Sequence, residues 1–357
     1  MKIAPIVVMP NIDSTSTPVD QLLKRQDLYF SYLLKESQGN ERALVFFSAK
    51  SQIESNESFD AIKVIRIGKG RFHWTLMSFG ILLYLTRNKI RPQFLVAGTP
   101  FQPFFITLVL KLFFPSTKIQ VAIHGEISGI KSGGLAKILK YLFLRIFLRC
   151  AALVRFVSNK QMQDFSGILT QKQRVIVTPV PIDIPPDMDR TSSATAISFV
   201  GRIHSERGIE EWIDIVQSLP RIKKIVVGDG PERATMQKAL PQAEFKGFLS
   251  GAELDSAWTK TKVLLSTAPY ESYGIALREA LLRGIPVVSR TNAGSRDLFN
   301  LAPDLIKLYT TKDEALAAIE DFLNDAPEYS RFVKFKEGFV RQQNDSLRAL
   351  AQAWLAL

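Results

Sequence analysis

Cysteine is nearly absent: Cys150 is the single thiol in 357 residues. One thiol excludes an internal disulfide and a multi-cysteine metal site, and it fits a reducing compartment. Because Cys150 follows an apolar, helix-like run, it reads as a buried structural thiol. Histidine is almost as scarce, and His73, His124 and His204 are too scattered for a zinc motif. Long hydrophobic runs are also missing. Residues 76–86 make only eleven, and 99–115 are broken by Lys111 and contain Pro100 and Pro103. Neither reaches the roughly 20 apolar residues of a spanning helix. IAPIVVMP, directly after Met1-Lys2, is too short for a signal-peptide core and reads as a first strand. A soluble or peripheral cytoplasmic protein is expected. Repeats and low-complexity segments are not evident. Acid is lacking in one half. Between Ala61 and Gln163 there are sixteen basic residues and one acid, Glu126. Residues 1–185 carry +13 and residues 186–357 carry −1, which together make the net +12. The basic half points to a negatively charged partner: a membrane surface, a phosphate-bearing acceptor or nucleic acid.

The rest is ordinary globular material, 46% hydrophobic and 22% charged, in a length that suits two domains. Short apolar runs alternate with helical patterns. Strands are expected at 3–9, 43–48, 62–67, 93–97, 118–123, 152–157 and 174–177. Helices are expected at 18–36, 75–87, 101–114 and 135–149. The segment 178–195, TPVPIDIPPDMDRTSSAT, holds four prolines and reads as a linker. The alternation then restarts, with strands at 196–200, 222–228, 243–246, 262–266 and 304–308 and helices at 208–218, 312–323 and 328–357. Strands alternating with helices imply parallel pairing and doubly wound α/β domains. Ligands of such sheets bind outside the strand C-termini.

Candidate site residues lie at those strand ends. Gly201-Arg202 and Arg207-Gly208 follow strand 196–200. Two guanidiniums with glycines for close backbone approach suit a diphosphate, although solvated loop arginines meet the same spacing. Gly228-Asp229-Gly230-Pro231 ends the next strand as a tight turn before a helix. His124-Gly125-Glu126 ends strand 118–123 in the first half, where an imidazole can donate to a hydroxyl or oxyanion or be purely structural. Asn11 reads as a turn residue after the first strand. In STAPYESYGIALREALLRGIPVVS, residues 266–289, Glu271 and Glu279 stand eight apart. Glu271 lies at a loop or helix N-terminus and Glu279 inside the helix. Alone, that spacing first suggests an N-cap-like acid with a solvated helix residue, and second a carboxylate that accepts sugar hydroxyls beside free backbone amides.

FVGRIHSERGIEEWI, IVVGDGPE, FKGFLSGAEL and STAPYESYGIALREALLRGIPVV together resemble, in order and spacing, the C-terminal half of family 4 retaining glycosyltransferases. The resemblance covers residues 196–299. In the first half IHGEISG and Ser158 carry a weaker similarity. It implies the GT-B fold, two Rossmann-like domains facing a cleft. These would be an acceptor domain at 1–180 joined by a C-terminal helix at about 335–357, and a donor domain at 181–334. It also implies roles. Arg202 and Arg207 would clamp the diphosphate of a UDP- or GDP-sugar, with arginine where the family usually has lysine at the second position. Glu271 would hold the sugar hydroxyls, and the amides of Tyr273, Gly274 and Ile275 would serve sugar and phosphate. Glu279 would take the ribose, Gly247-Phe248 the base, and His124 would sit by the donor sugar. Arginines and a helix N-terminus would replace a metal, and no Asp-x-Asp motif lies in the cleft segments. No cofactor beyond the nucleotide-sugar is expected. The glycine-free MPNIDSTSTPVD after the first strand departs from the family pattern.

The implied acceptor is a saccharide or lipid-linked saccharide. Residues 135–149 set Lys137, Lys140, Arg145 and Arg149 among Leu, Ile and Phe, which fits either an anionic membrane surface at the cytoplasmic membrane or a core helix whose cations snorkel. Two other classes compete: a basic nucleic-acid-binding protein, against which the absence of a binding motif counts, and a non-catalytic nucleotide-sugar scaffold. No nucleic-acid partner is expected.

Overall fold

The central strands are largely apolar and mostly buried, as strands covered on both faces are, and the strand pairings are all parallel. The computed structural model describes residues 7–10, 19–37, 43–48, 59–67, 73–98, 102–124, 135–186 and 194–357. These form two units: Met1–Pro181 with Gln343–Leu357, and Ile182–Gln342. Asn11, the glycine-free loop after the first strand, residues 125–134 and linker residues 187–193 lie outside the described residues.

In the first unit the order is β1 (Val7–Pro10), α1 (Val19–Glu36), β2 (Ala43–Ser48), β3 (Ile62–Ile67), α2 (His73–Arg87), β4 (Phe94–Ala97), α3 (Gln102–Phe113), β5 (Lys118–Ile123), α4 (Leu135–Cys150), β6 (Leu153–Phe156), α5 (Asn159–Phe165) and β7 (Arg174–Val177). The sheet order is β3-β2-β1-β4-β5-β6-β7. Val8 pairs with Leu44 on one side and Leu95 on the other. The second unit holds β8 (Ala196–Val200), a 3₁₀ turn at Ser205–Arg207, α6 (Ile209–Gln217), β9 (Lys223–Val227), α7 (Arg233–Ala239), β10 (Glu244–Gly247), α8 (Gly251–Thr259), β11 (Thr261–Ser266), α9 (Ile275–Leu282), β12 (Val287–Arg290), α10 (Ala293–Leu301), β13 (Ile306–Tyr309) and α11 (Lys312–Asn324). Its sheet order is β10-β9-β8-β11-β12-β13. Each sheet therefore reverses its winding once, between β1 and β4 and between β8 and β11. The doubly wound architecture expected from the alternation is the one the chain adopts.

A final helix, α12 (Tyr329–Leu355), starts in the second unit and ends in the first. Its last turns complete the first unit's core. Leu347, Leu350, Ala351 and Trp354 pack with Leu23, Phe30 and Leu33 of α1 against Val7, Val45 and Val96 of the sheet. Trp354 stacks on Phe30 with ring centroids 5.3 Å apart, and its indole N–H donates to the side-chain oxygen (Oε1) of Gln120. The other face of that sheet is covered by α2, α3 and α4 through Met77, Ile81, Ile106, Leu110, Leu144 and Leu148. In the second unit Trp212, Ile215 and Val216 of α6 meet Ala315, Ile319 and Phe322 of α11. Among the described residues, no helix is long and apolar enough to cross a membrane.

Two expectations change. Cys150 is exposed rather than buried. It is the last residue of α4, and its thiol donates to the carbonyl of Ile146, itself exposed, so both lie on the solvent side. The sequence reading also passes over α10. That helix starts on a capping box in which Asn292 accepts from the Ser295 amide, and the Ser295 hydroxyl donates in return to the Arg290 carbonyl and serves the Asn292 amide. Serine in the third helical position lacks the acidic signature by which such boxes are usually read.

Replacing Trp354 by alanine removes the stack, the buried indole and the partner of Gln120. A loss of about 3–5 kcal/mol is expected for the first unit. Chemical denaturation followed by a probe in that unit measures it.

Candidate functional site

The reversal between β8 and β11 leaves a crevice at their carboxyl ends, the place where open α/β sheets take ligands. Two loops meet there, 201–208 after β8 and 267–274 after β11. The Thr267 hydroxyl donates to the Arg207 carbonyl at 3.0 Å. Gly208 holds φ 67°, and a Cβ on it would stand 2.3 Å from the Thr267 carbonyl oxygen. Only a residue without a side chain lets the two backbones approach so closely. The second loop is tied down from the other side by α10. Gly294 donates its N–H to the Glu271 carbonyl at 2.6 Å, and the side-chain NH₂ of Asn292 donates to the Ala268 carbonyl at 2.9 Å. A Cβ on Gly294 would meet the Glu271 and Tyr273 backbone at 2.9 Å.

This brings Arg207 and Glu271 together. A guanidinium N–H of Arg207 donates to the Glu271 carboxylate at 2.5 Å, and both side chains are partly exposed. Glu271 is thus not an N-cap. The N-cap of α9 is Gly274, which has φ 74° and offers no side-chain hydrogen bond, so the first amides of α9 are left without one. A cavity of about 30 Å³ lies between Arg207, Thr267, Glu271, Gly274, Ala276 and Leu277. Tyr273 is buried, and Ile275 is half-buried at the start of α9. Burial pushes the Tyr273 phenol above its ordinary range, against the opposing charge of Arg278.

The remaining predicted residues are more dispersed. Arg202 turns to its own turn and donates to Glu206 at 3.0 Å. Glu279 is half-buried inside α9, and its backbone carbonyl accepts from Arg283, which also holds Asp255 at 2.8 Å. The Gly247 carbonyl accepts from Gly228 N–H at 2.7 Å, while the Phe248 side chain is 56% exposed. The 228–231 turn is stitched to the 201–208 loop, with Ile203 N–H donating to the Asp229 carbonyl at 2.9 Å.

His124 belongs to the first unit and immediately follows β5. The protein atoms around it, then the charges of Arg155 and Arg25, push its imidazole down to about 3, although the side chain still reaches solvent. It is therefore neutral near pH 7. Arg155 is itself buried. Its Nε donates to the Thr178 carbonyl at 3.0 Å and its guanidinium lies 4.2 Å above the Tyr29 ring, with a further bond to the Tyr29 hydroxyl. Ser158 caps α5, accepting from the Gln161 amide.

Sequence reasoning missed Gly294, Asn292, Thr267 and Arg278. No local pattern marks the first three, because their partners lie 20 or more residues away. Arg278 carries the signal of a charge on a helix, which ordinarily points to solvent.

Gly208→Ala forces a Cβ into the Thr267 carbonyl and an unfavourable φ. It should cost about 1–3 kcal/mol, whereas Gly167→Ala, with open space around it, should change little. Thermal unfolding of the two variants makes the comparison.

Residues 188–338 match the family "Glycosyl transferases group 1". A GDP-mannose-dependent alpha-mannosyltransferase of Corynebacterium glutamicum is 30% identical over 140 residues, 39% of this chain and 34% of that protein. A 2-deoxystreptamine glucosyltransferase of Streptomyces kanamyceticus is 26% identical over 267 residues, 59% of this chain and 69% of that one. The chain spans about a third of the length of the mannosyltransferase. Among solved structures, Anabaena HepE in complex with UDP superposes with a TM-score of 0.75 at 15% identity, over 99% of this chain and 100% of that one. Residues 188–338 thus match the glycosyl transferases group 1 model, and the chain has the two-Rossmann GT-B fold of its solved neighbours.

Proposed function

We propose that the chain is a retaining glycosyltransferase that moves a sugar from a UDP- or GDP-sugar to a saccharide or lipid-linked saccharide acceptor in the synthesis of cell-surface glycoconjugates. The observation that carries the proposal is the Arg207–Glu271 pair at the β8–β11 reversal, beside the side-chain-free N-terminus of α9. The names of the relatives support it: one depends on GDP-mannose, another transfers glucose, and HepE was solved with UDP.

The chemistry follows from charge. A nucleoside diphosphate leaves with growing negative charge, and preorganised positive potential lowers the barrier. Arg207 and the amides of Gly274 and Ile275 supply it without requiring a metal, with Arg202 joining once it is released from Glu206. Arg207 and Glu271 satisfy one another across the two loops. A bound donor would exchange that bond for two, guanidinium to phosphate and carboxylate to sugar hydroxyl. Glu279 is assigned to the ribose and the Gly247-Phe248 backbone to the base. Retention needs no carboxylate pair of the hydrolase sort when the acceptor attacks from the face the phosphate leaves. His124, neutral near pH 7, would then act as a hydrogen-bonding group rather than as a cation.

The acceptor reading draws on α4. Leu144 and Leu148 are buried in the core, while Ile138, Leu142, Phe143 and Ile146 are exposed beside exposed Arg149 and half-buried Arg145. A core helix with snorkelling cations would not leave a second apolar face open. We assign this face to an anionic membrane surface at the cytoplasmic side.

Glu271→Ala should abolish transfer from a UDP- or GDP-sugar, with unchanged circular dichroism. Undiminished turnover sinks the assignment. Before that, a thermal-shift panel of nucleotide-sugars should single out the donor by its stabilisation. The chain should co-sediment with vesicles containing phosphatidylglycerol and not with phosphatidylcholine alone, and Phe143→Asp with Ile146→Asp should reduce the bound fraction.

A further inference from the structure

Arg278, in the second turn of α9, is 2% exposed. Burying a guanidinium costs several kcal/mol unless its charge and its N–H groups are matched. Here the match is incomplete. The guanidinium stacks on the Tyr273 ring, 3.8 Å from its centroid, and interacts with the Tyr273 hydroxyl, but its buried Nη1 has no hydrogen-bond partner. The carboxylates of Asp297 and Glu271 act on it through space, and Glu271 is already engaged by Arg207. The unpartnered nitrogen is aimed at the N-terminus of α9. A Cβ built on Gly274 would lie 3.6 Å from it. The Arg278 amide closes the first turn by donating to the Gly274 carbonyl at 3.2 Å.

A buried polar group left unsatisfied in a native protein calls for an explanation, and an absent anion is one. The helix end above Arg278 has amides that its N-cap residue does not serve and a partial positive charge. A fixed guanidinium directly beneath adds a full charge at no reorganisation cost when a ligand arrives. The stack on Tyr273 also holds the 271–274 loop, whose Glu271 and Gly274 line the cavity.

Resting on the donor-site reading above, we propose that Arg278 is a positioning residue for the donor diphosphate. It serves as a buried counter-charge under the Gly274–Ile275 amides and fixes the loop that carries Glu271, without touching the nucleotide itself. The energetic signature is specific. Without ligand, the charge is a burden on the fold; with a diphosphate bound, it is compensated. Removing it should therefore weaken nucleotide binding without weakening the free protein.

The test is calorimetric titration of the full chain with UDP and with GDP, alongside thermal unfolding without nucleotide. Wild type should bind one of the two. Arg278→Met should unfold at the same or a higher temperature and bind that nucleotide about tenfold more weakly, the size of a lost charge-assisted interaction. Arg278→Lys, which keeps the charge, should bind within about threefold of wild type. Equal affinity in wild type and R278M overturns the inference and leaves the donor site standing. A large fall in the unfolding temperature of R278M, with binding lost equally in R278K, overturns it in favour of plain structural support. Should R278M not fold, R278K decides: near wild-type affinity supports the proposal and a tenfold loss overturns it. Wild type binding neither UDP nor GDP overturns the donor-site reading, and this inference with it.

Discussion

The contact of Gly208 with the Thr267 carbonyl sets the separation of the two loops at the β8–β11 reversal. Everything polar at the site depends on that distance. A longer separation would leave Arg207 and Glu271, 64 residues apart in sequence, unable to bond. Parallel strands arranged around a single reversal point bring the loops near, and a residue with no side chain lets them touch. Gly294 repeats the device on the far side, fastening the Glu271 carbonyl to the first turn of α10. The 267–274 loop is thus held between two glycines, rigid enough to present amides and a carboxylate in fixed positions.

Charge is arranged with the same economy. The second unit contributes almost nothing to the net charge of the chain, yet its candidate site gathers Arg207 and the buried Arg278 about one helix end. The first unit holds the excess of positive charge. Its exposed apolar residues on α4 have counterparts in Phe79 and Leu83 of α2 and Leu112 and Phe113 of α3, the helices that cover the same face of the sheet.

Most of the fold was legible in the sequence, because both signals on which it depends are local. Apolar runs such as QFLVA and AISFV mark buried strands, and their alternation with amphipathic segments dictates parallel pairing. The candidate site was legible only as a set of positions. Glycines and arginines at strand ends mark where a ligand could go, but not which side chains meet. From spacing alone Glu271 fits a helix cap or a ligand-binding carboxylate, and only the folded loop shows that Gly274 is the cap while the carboxylate turns to Arg207. Cys150 was misread because an apolar helix was assumed to be apolar toward the core alone. α10 was missed because its cap uses serine where a carboxylate is the usual sign. Arg278 was invisible for a different reason: a charged helix residue is normally solvated, and burial of an exception is a property of packing.

The path of α12 has a consequence for the order of synthesis. Domains generally fold from the N-terminus as the chain emerges. Here the first unit lacks one wall of its core until Gln343–Leu357 have been made, since Leu350 and Trp354 pack with Phe30 and Leu23 there. The second unit, encoded later, can close its own core first. The half begun earliest is finished last, and a chain truncated within the final turns of α12 would have a complete second unit and an open first unit.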